Sequence, residues 1–391
     1  MGANNSFDHR LSTTLVICIV YPLGPAAIIL MPMIVGGLID SYGFTEQQAA
    51  NIASLEGLGI VFASVFAAIW IRKVSWVRAL SFAFLLYAIL NIVSANLDQF
   101  TPLLVTRFLT GLAGGNLFAV TVAALGDNRE PDRAFGLAQA VQGVMMLVAF
   151  LAAPYLLQAW SVSALYYMLA AASILIMLTL FRFPAQGRNR PASAGNIGHG
   201  GGHSPLIWLG LFASIIFFIN VFGFWAFAER IGQAAQLPVN TIGLALGVSQ
   251  IMAIVGALAA ALASDRYGRY LPLLIVLIGQ AMALFVLIGT FGSVTYFISL
   301  GAFQALFVVG VSYQMGAIAK IDVKGRFLVI MTGAQGLGAA IGPAVAAALI
   351  REGNDYSGIM QMAALFCFIS TLLFLFIVYR SRNIDINAAA Q

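Results

Sequence analysis

Charge is what this chain has least of. Only 8% of its 391 residues are Asp, Glu, Lys or Arg, against 61% hydrophobic, and the mean hydropathy is +0.96. That balance excludes an ordinary soluble domain. Cysteine is nearly absent: Cys18 and Cys367 both fall in apolar segments, so no disulfide framework is expected. There is no Gly-rich phosphate loop ending in Lys-Ser or Lys-Thr, which excludes a built-in ATPase motor. No hydrolytic triad or metal cluster is found either, so the chain reads as no enzyme, with no cofactor and no metal. His199 and His203 have a suggestive spacing, but they lack a third ligand, and the glycines between them do not hold a helix. No cleavable signal is expected, because the first apolar segment is too long for a signal core.

What the chain has in abundance is apolar runs. Cut at its polar breaks, it gives twelve, at 11–38, 45–71, 76–96, 101–125, 134–158, 161–182, 205–230, 239–264, 270–290, 293–320, 326–350 and 357–379. Each supplies the ~20 residues that a helix needs to cross a hydrocarbon core. With the N-terminus inside, the inner connectors hold Arg10, Arg72, Lys73, Arg78, Arg129, Arg133, Arg182, Arg188, Arg190, Arg266, Arg269, Lys320, Lys324, Arg326, Arg380 and Arg382. The outer ones hold Arg230 and Arg351, and Arg107 is left inside a span. This is the positive-inside bias repeated loop by loop, so both termini are expected in the cytoplasm and the protein in a bacterial inner membrane. A pI near 9.3 raises nucleic acid as a partner. The basic residues are instead spread along one membrane face, so the lipid bilayer is the expected partner and nucleic acid is not.

The longest polar connector, 183–204, is rich in Gly, Ser and Pro and reads as a flexible cytoplasmic linker between a bundle at 1–182 and one at 205–391. The halves repeat. A shift of 193 lays Arg72-Lys73-Val74-Ser75 on Asp265-Arg266-Tyr267-Gly268, Arg133 on Arg326, and Gly143 on Gly336. Parallel six-helix repeats imply a pseudo-two-fold axis along the membrane normal, with a solute site near the midplane at the repeat interface. The fold class is therefore an all-α membrane protein of twelve transmembrane helices in two six-helix bundles.

Asp265-Arg266-Tyr267-Gly268-Arg269, after the eighth span, resembles the Asp-Arg-x-Gly-Arg loop signature of the major facilitator superfamily (MFS). Over essentially its whole length the chain is similar to that family. The resemblance implies an inner gate at Asp265, Arg266, Gly268 and Arg269 that latches when the cavity faces outward. The equivalent loop of the first half has Arg72 where the family usually has Asp, and Ser75 where it has Gly, so the gate is expected mainly in the second half. Arg107 through Gly111 is similar to the family's Arg-x-x-x-Gly motif. Gly338 to Pro343 resembles an exporter signature displaced to span eleven. Both glycine stripes read as close helix packing.

Glu56 and Arg107 are the ionisable residues well inside the apolar runs. A charge at that depth costs at least ~2.5 kcal/mol and usually marks a pathway or a proton relay. Thr45 to Gln48 reads as a capping box that starts span two, which puts Glu56 about 15 Å down. Ala49, Ala53, Ala63 and Ala67 share its face, as Gly111 and Gly114 share that of Arg107. Both charges therefore look into protein, and a Glu56–Arg107 pair is expected. A static buried pair is the bland reading. In the functional one, burial and the guanidinium act oppositely on the carboxyl, so a changed separation moves its proton affinity and couples transport to protons. Glu229 and Arg230 read as an interfacial couple beside an aromatic belt.

Candidate solute ligands are Tyr21, Asn116, Asn220, Gln250, Gln304 and Gln335, with Phe118, Phe303 and Phe307 adding aromatic surface. Resemblance to the superfamily puts spans one, four, seven and ten around the cavity. Asn116 lies about 180° around its helix from Arg107, and either of the two faces the cavity. No basic cluster suits a phosphorylated or dicarboxylate substrate. The expectation is a monomeric secondary carrier of a small amphipathic or weakly polar organic solute, moved by alternating access and coupled to protons. Two rivals are a broad-specificity efflux carrier for drugs or lipid-like solutes and a non-transporting sensor on a transporter fold.

Overall fold

The computed structural model describes residues 11–128, 130–187, 204–263, 266–321, 326–350 and 355–389. Asp265, the acid of the expected gate, lies outside the described residues, as do His199 and His203. The chain divides into two compact units, Met1–Gly198 and His199–Gln391.

The first unit holds α1 (Leu11–Val20), α2 (Ala26–Ile29), α3 (Met31–Tyr42), α4 (Glu46–Trp70), α5 (Trp76–Ala95), α6 (Phe100–Gly126), α7 (Pro131–Trp160) and α8 (Ser163–Met177). The second holds α9 (Ser204–Ala234), α10 (Val239–Ala263), α11 (Tyr270–Phe285), α12 (Ser293–Ile321), α13 (Arg326–Ala347) and α14 (Ser357–Ala389). Among the described residues, nine helices are long and apolar enough to cross a bilayer: α4 to α7, α9, α10 and α12 to α14.

Three expected spans take other forms. The first is broken into α1, α2 and α3, because Pro22, Pro25 and Pro32 each lack an N–H. Pro22 sits in a single 3₁₀ turn at Tyr21–Leu23, Pro25 precedes α2, and Pro32 lies in the first turn of α3. The sixth is the 15-residue α8, followed by a 3₁₀ turn at Leu180–Arg182. The ninth is the 16-residue α11. Local sequence sets the boundaries elsewhere. Thr45 Oγ1 accepts from Gln48 N at 3.2 Å while Thr45 N donates to Gln48 Oε1 at 3.0 Å, the reciprocal cap expected for α4. Gly43 ends α3 at φ +67°, donating to Ile39 O.

The internal repeat holds in the helices. α4 and α10 start at 46 and 239, and α6 and α12 at 100 and 293, an offset of 193 in each case. Packing within each unit repeats too: α4 lies along α6 as α10 lies along α12, α5 packs on α6 and α8 as α11 does on α12 and α14, and α1 meets α7 as α9 meets α13.

Candidate functional site

In the first unit, three glycines bring α4 and α6 into backbone contact. A Cβ on Gly59 would overlap Phe108 O, one on Gly111 would overlap Glu56 O, and one on Gly115 would overlap Ile60 O. Such glycine faces let membrane helices approach closely. They fix the Glu56 backbone beside the helix that carries Arg107.

The two side chains meet as a two-point ion pair. Arg107 Nε donates to Glu56 Oε2 at 3.1 Å, and Arg107 Nη2 donates to Glu56 Oε1. Arg107 is wholly buried and Glu56 is 4% exposed. The third corner of the guanidinium turns to α5: Nη1 donates to Asn91 Oδ1 at 2.9 Å and Ser94 Oγ at 3.3 Å. Asn91 Nδ2 is tied to Tyr87 O, which aims Oδ1 at the arginine. From α8, the Tyr166 ring lies under the guanidinium, 4.6 Å from centroid to Cζ. Arg107 thus joins α4, α5, α6 and α8, and each of its three guanidinium nitrogens donates to a partner. Asn116, on the opposite face of α6, is half-buried and donates to Leu112 O of its own helix.

A second ion pair joins the C-terminal ends of α4 and α6. Arg72, just past α4, makes a two-point pair with Asp127, just past α6; Nη2 donates to Oδ1 at 3.1 Å. The Asp127 side chain is 1% exposed and that of Arg72 is 45% exposed. The guanidinium also lies 5.7 Å from the Trp76 ring centroid. The Arg72 loop departs from the signature by lacking its acid, and Asp127 supplies a carboxylate from another element.

In the second bundle Gly268 has φ +62°, in a turn between α10 and α11. That backbone suits glycine, as the signature requires. Arg266 is exposed, while Arg269 is half-buried across Gly316 of α12. Arg269 also lines a recess of about 250 Å³ with Ala257, Ala260, Ser312 and Tyr313.

The sequence profile of the Major Facilitator Superfamily matches residues 19–228 and 207–390. The chain belongs to that superfamily. It is accordingly a multi-pass integral membrane protein and a secondary transporter of small molecules, in a family that is not one of enzymes. Solved MFS structures share its fold. One is a bacterial homolog of the human lysosomal transporter Spinster, crystallised inward-facing and unoccupied: 13% identity, 97% of this chain and 98% of that one covered, TM-score 0.76. A D-xylose–proton symporter matches at 14% identity, 94% and 97% coverage and TM-score 0.76. A nucleoside transporter does so at 13%, 94% and 98%, and 0.75. No curated protein sequence matches the chain.

The expected solute ligands of this MFS chain are divided between the units, Tyr21 and Asn116 in the first and Asn220, Gln250, Gln304 and Gln335 in the second. Tyr21 is buried, its ring 5.5 Å from that of Phe118. The expectation that Asn220 lines a solute site meets a side chain with no exposed surface, donating to Gln280 Oε1 at 3.4 Å. Gln280 in turn donates to Phe303 O and accepts from Cys367 Sγ, so these groups form a polar knot inside the bundle. Gln250, Gln304 and Gln335 are 9%, 7% and 7% exposed, on three different helices.

Glu229 and Arg230 form the expected acid–base couple, with Arg230 Nε 3.2 Å from Glu229 Oε2, but they do so short of the helix end. α9 runs on to Ala234, both residues are buried, and Gln233 Nε2 donates to Glu229 Oε1 at 2.5 Å. Asn91, Ser94, Tyr166, Asp127 and Gln280 escaped the sequence reading. Asn91 and Ser94 carried a usable signal, two polar residues three apart inside an apolar run.

Proposed function

We propose that the protein is a proton-coupled secondary carrier of a small amphipathic or weakly polar organic solute, working by alternating access, with Glu56 as the coupling acid. The observation that carries this reading is how Arg107 is held. A buried pair usually fails when one charge is lost, because the other is stranded. Here, neutralising Glu56 leaves the guanidinium with Asn91, Ser94 and the Tyr166 ring. The carboxyl can therefore gain and lose a proton without the arginine losing all its partners. Because Gly59, Gly111 and Gly115 clamp α4 to α6, the pair opens by rotation of the Glu56 side chain rather than by separation of helices.

Asn116, Tyr21, Gln250, Gln304 and Gln335 are proposed to serve the solute, and Asn220 to serve packing. Arg266, Gly268 and Arg269, with Asp265, are proposed as the inner gate of the second bundle. Both termini are assigned to the cytoplasm, and the membrane to a bacterial inner membrane, on the basic bias of the inner connectors. A second reading, efflux of lipophilic solutes, draws support from Phe218, Phe222 and Phe307, whose rings lie 5.5 to 6.2 Å apart with Phe222 and Phe307 half-buried.

The test is purified protein screened for stabilising ligands by thermal shift, then reconstituted for flux of each hit under an imposed pH gradient. Uphill accumulation driven by the gradient supports the first reading. Many unrelated, mutually competing lipophilic hits support the second.

A further inference from the structure

The polar connector between the bundles was expected to be free from residue 183 onward, yet its first five residues are bound. Phe183 and Pro184 are buried, with Phe183 extended at φ −80° and ψ 141°. Ala185 O then accepts from Trp76 N at 2.8 Å. That bond has a local reason. Ser75 sits at the N-cap of α5 but makes no side-chain cap, so the first N–H of the helix needs an acceptor from elsewhere. Ala185 provides it. Trp76 is fixed a second time by its ring, Nε1 donating to Ile71 O at 2.7 Å.

Two residues on, the chain passes over the Arg72–Asp127 pair. A Cβ at Gly187 would stand 2.5 Å from Trp76 Cζ2 and 2.7 Å from Asp127 Oδ2, and would also overlap Arg72 Nη1. Only a glycine fits between these three groups. The backbone here is part of what keeps the Asp127 carboxylate at 1% exposure. Shielding from water strengthens an ion pair.

We infer that residues 183–187 are a strap seated on the Arg72–Asp127 pair, so that the strap and the pair open together. The strap is the start of the covalent path to the second bundle. Seated, it withholds slack; lifted, it adds up to about 17 Å of extended chain at ~3.4 Å per residue. The inner end of the first bundle thereby sets the free length of the connector, and any pull on the connector acts on the pair. Gly187 and Trp76 are positioning residues in this device, and Arg72 and Asp127 are its catch.

The experiment places a spin label on Ala185→Cys in the full-length protein in nanodiscs; Cys18 and Cys367 are buried and leave little background. The spectrum is expected to be immobilised in the parent and to sharpen when Asp127→Asn or, separately, Arg72→Gln breaks the catch. Thermal unfolding of Gly187→Ala, Asp127→Asn and the double variant supplies the second measurement. Coupling predicts that Gly187→Ala lowers Tm in the parent but adds little once Asp127 is replaced. An immobile label in both catch variants, or additive Tm losses, overturns the proposal. If Gly187→Ala does not fold, the two label spectra decide alone.

Discussion

Gly111 lies against the carbonyl oxygen of Glu56, so closely that α6 has no space for a side chain at that position. The contact ties the backbone that bears the acid to the helix that bears the base. It turns a plausible meeting of two charges into a fixed one.

Gly111→Ala is therefore expected to damage both stability and the ion pair. The new methyl meets backbone rather than the tip of a flexible side chain, so α4 and α6 must part. Overpacking of this kind costs about 1–3 kcal/mol. Thermal unfolding in detergent should show a clear loss, whereas Gly136→Ala, where a Cβ meets nothing within 4 Å, should not. Equal melting of the two variants would remove the clamp from the account.

Arg107 should not tolerate replacement. Arg107→Lys keeps the charge but cannot serve Glu56, Asn91 and Ser94 from one fork. Arg107→Ala strands a buried carboxylate, and breaking a buried pair this way costs about 3–5 kcal/mol. Adding Glu56→Gln to Arg107→Ala should restore part of that loss. The double-variant cycle, read by unfolding, checks the sign. A double variant as unstable as the summed singles would mean that the two side chains do not interact.

Asn220→Leu separates packing from solute binding. The amide faces Gln280, and its loss should cost about 1 kcal/mol of stability. Solute affinity, measured by titrating any ligand found in the thermal screen, should stay within a factor of two or so, well under the tenfold that ~1.4 kcal/mol represents. A large rise in KM with unchanged melting would return Asn220 to the solute site.

Much of the fold was legible in the residues, because a bilayer allows few solutions. Apolar runs of ~20 residues marked the spans, and the offset between halves survives in the helix starts at 46 and 239. Glu56 and Arg107 were legible because each is an isolated charge at a similar depth in an apolar run. Their companions were less so. Whether Asn91 turns to protein or to a cavity depends on which helix packs beside α5, and periodicity along one helix does not say. Asp127 was hidden because it sits just past α6 and owes its burial to the pairing with Arg72, so a buried acid looked like a loop residue. The Glu229–Arg230 couple was legible as neighbouring opposite charges, but its burial was not, because α9 continues to Ala234 beyond the expected end of the span at 230. Helix number suggested a cavity position for Asn220, but it could not foretell the bond to Gln280, which depends on the neighbouring helix.

The most direct measurement uses Glu56→Gln, which keeps the shape of the side chain and removes its titration. In reconstituted vesicles, with a ligand from the thermal screen as solute, gradient-driven accumulation should vanish. Exchange of solute at equal pH on both sides should persist, because the neutral amide still reaches Arg107. Accumulation and proton movement undiminished in Glu56→Gln would contradict the account and leave the buried pair as a brace between helices.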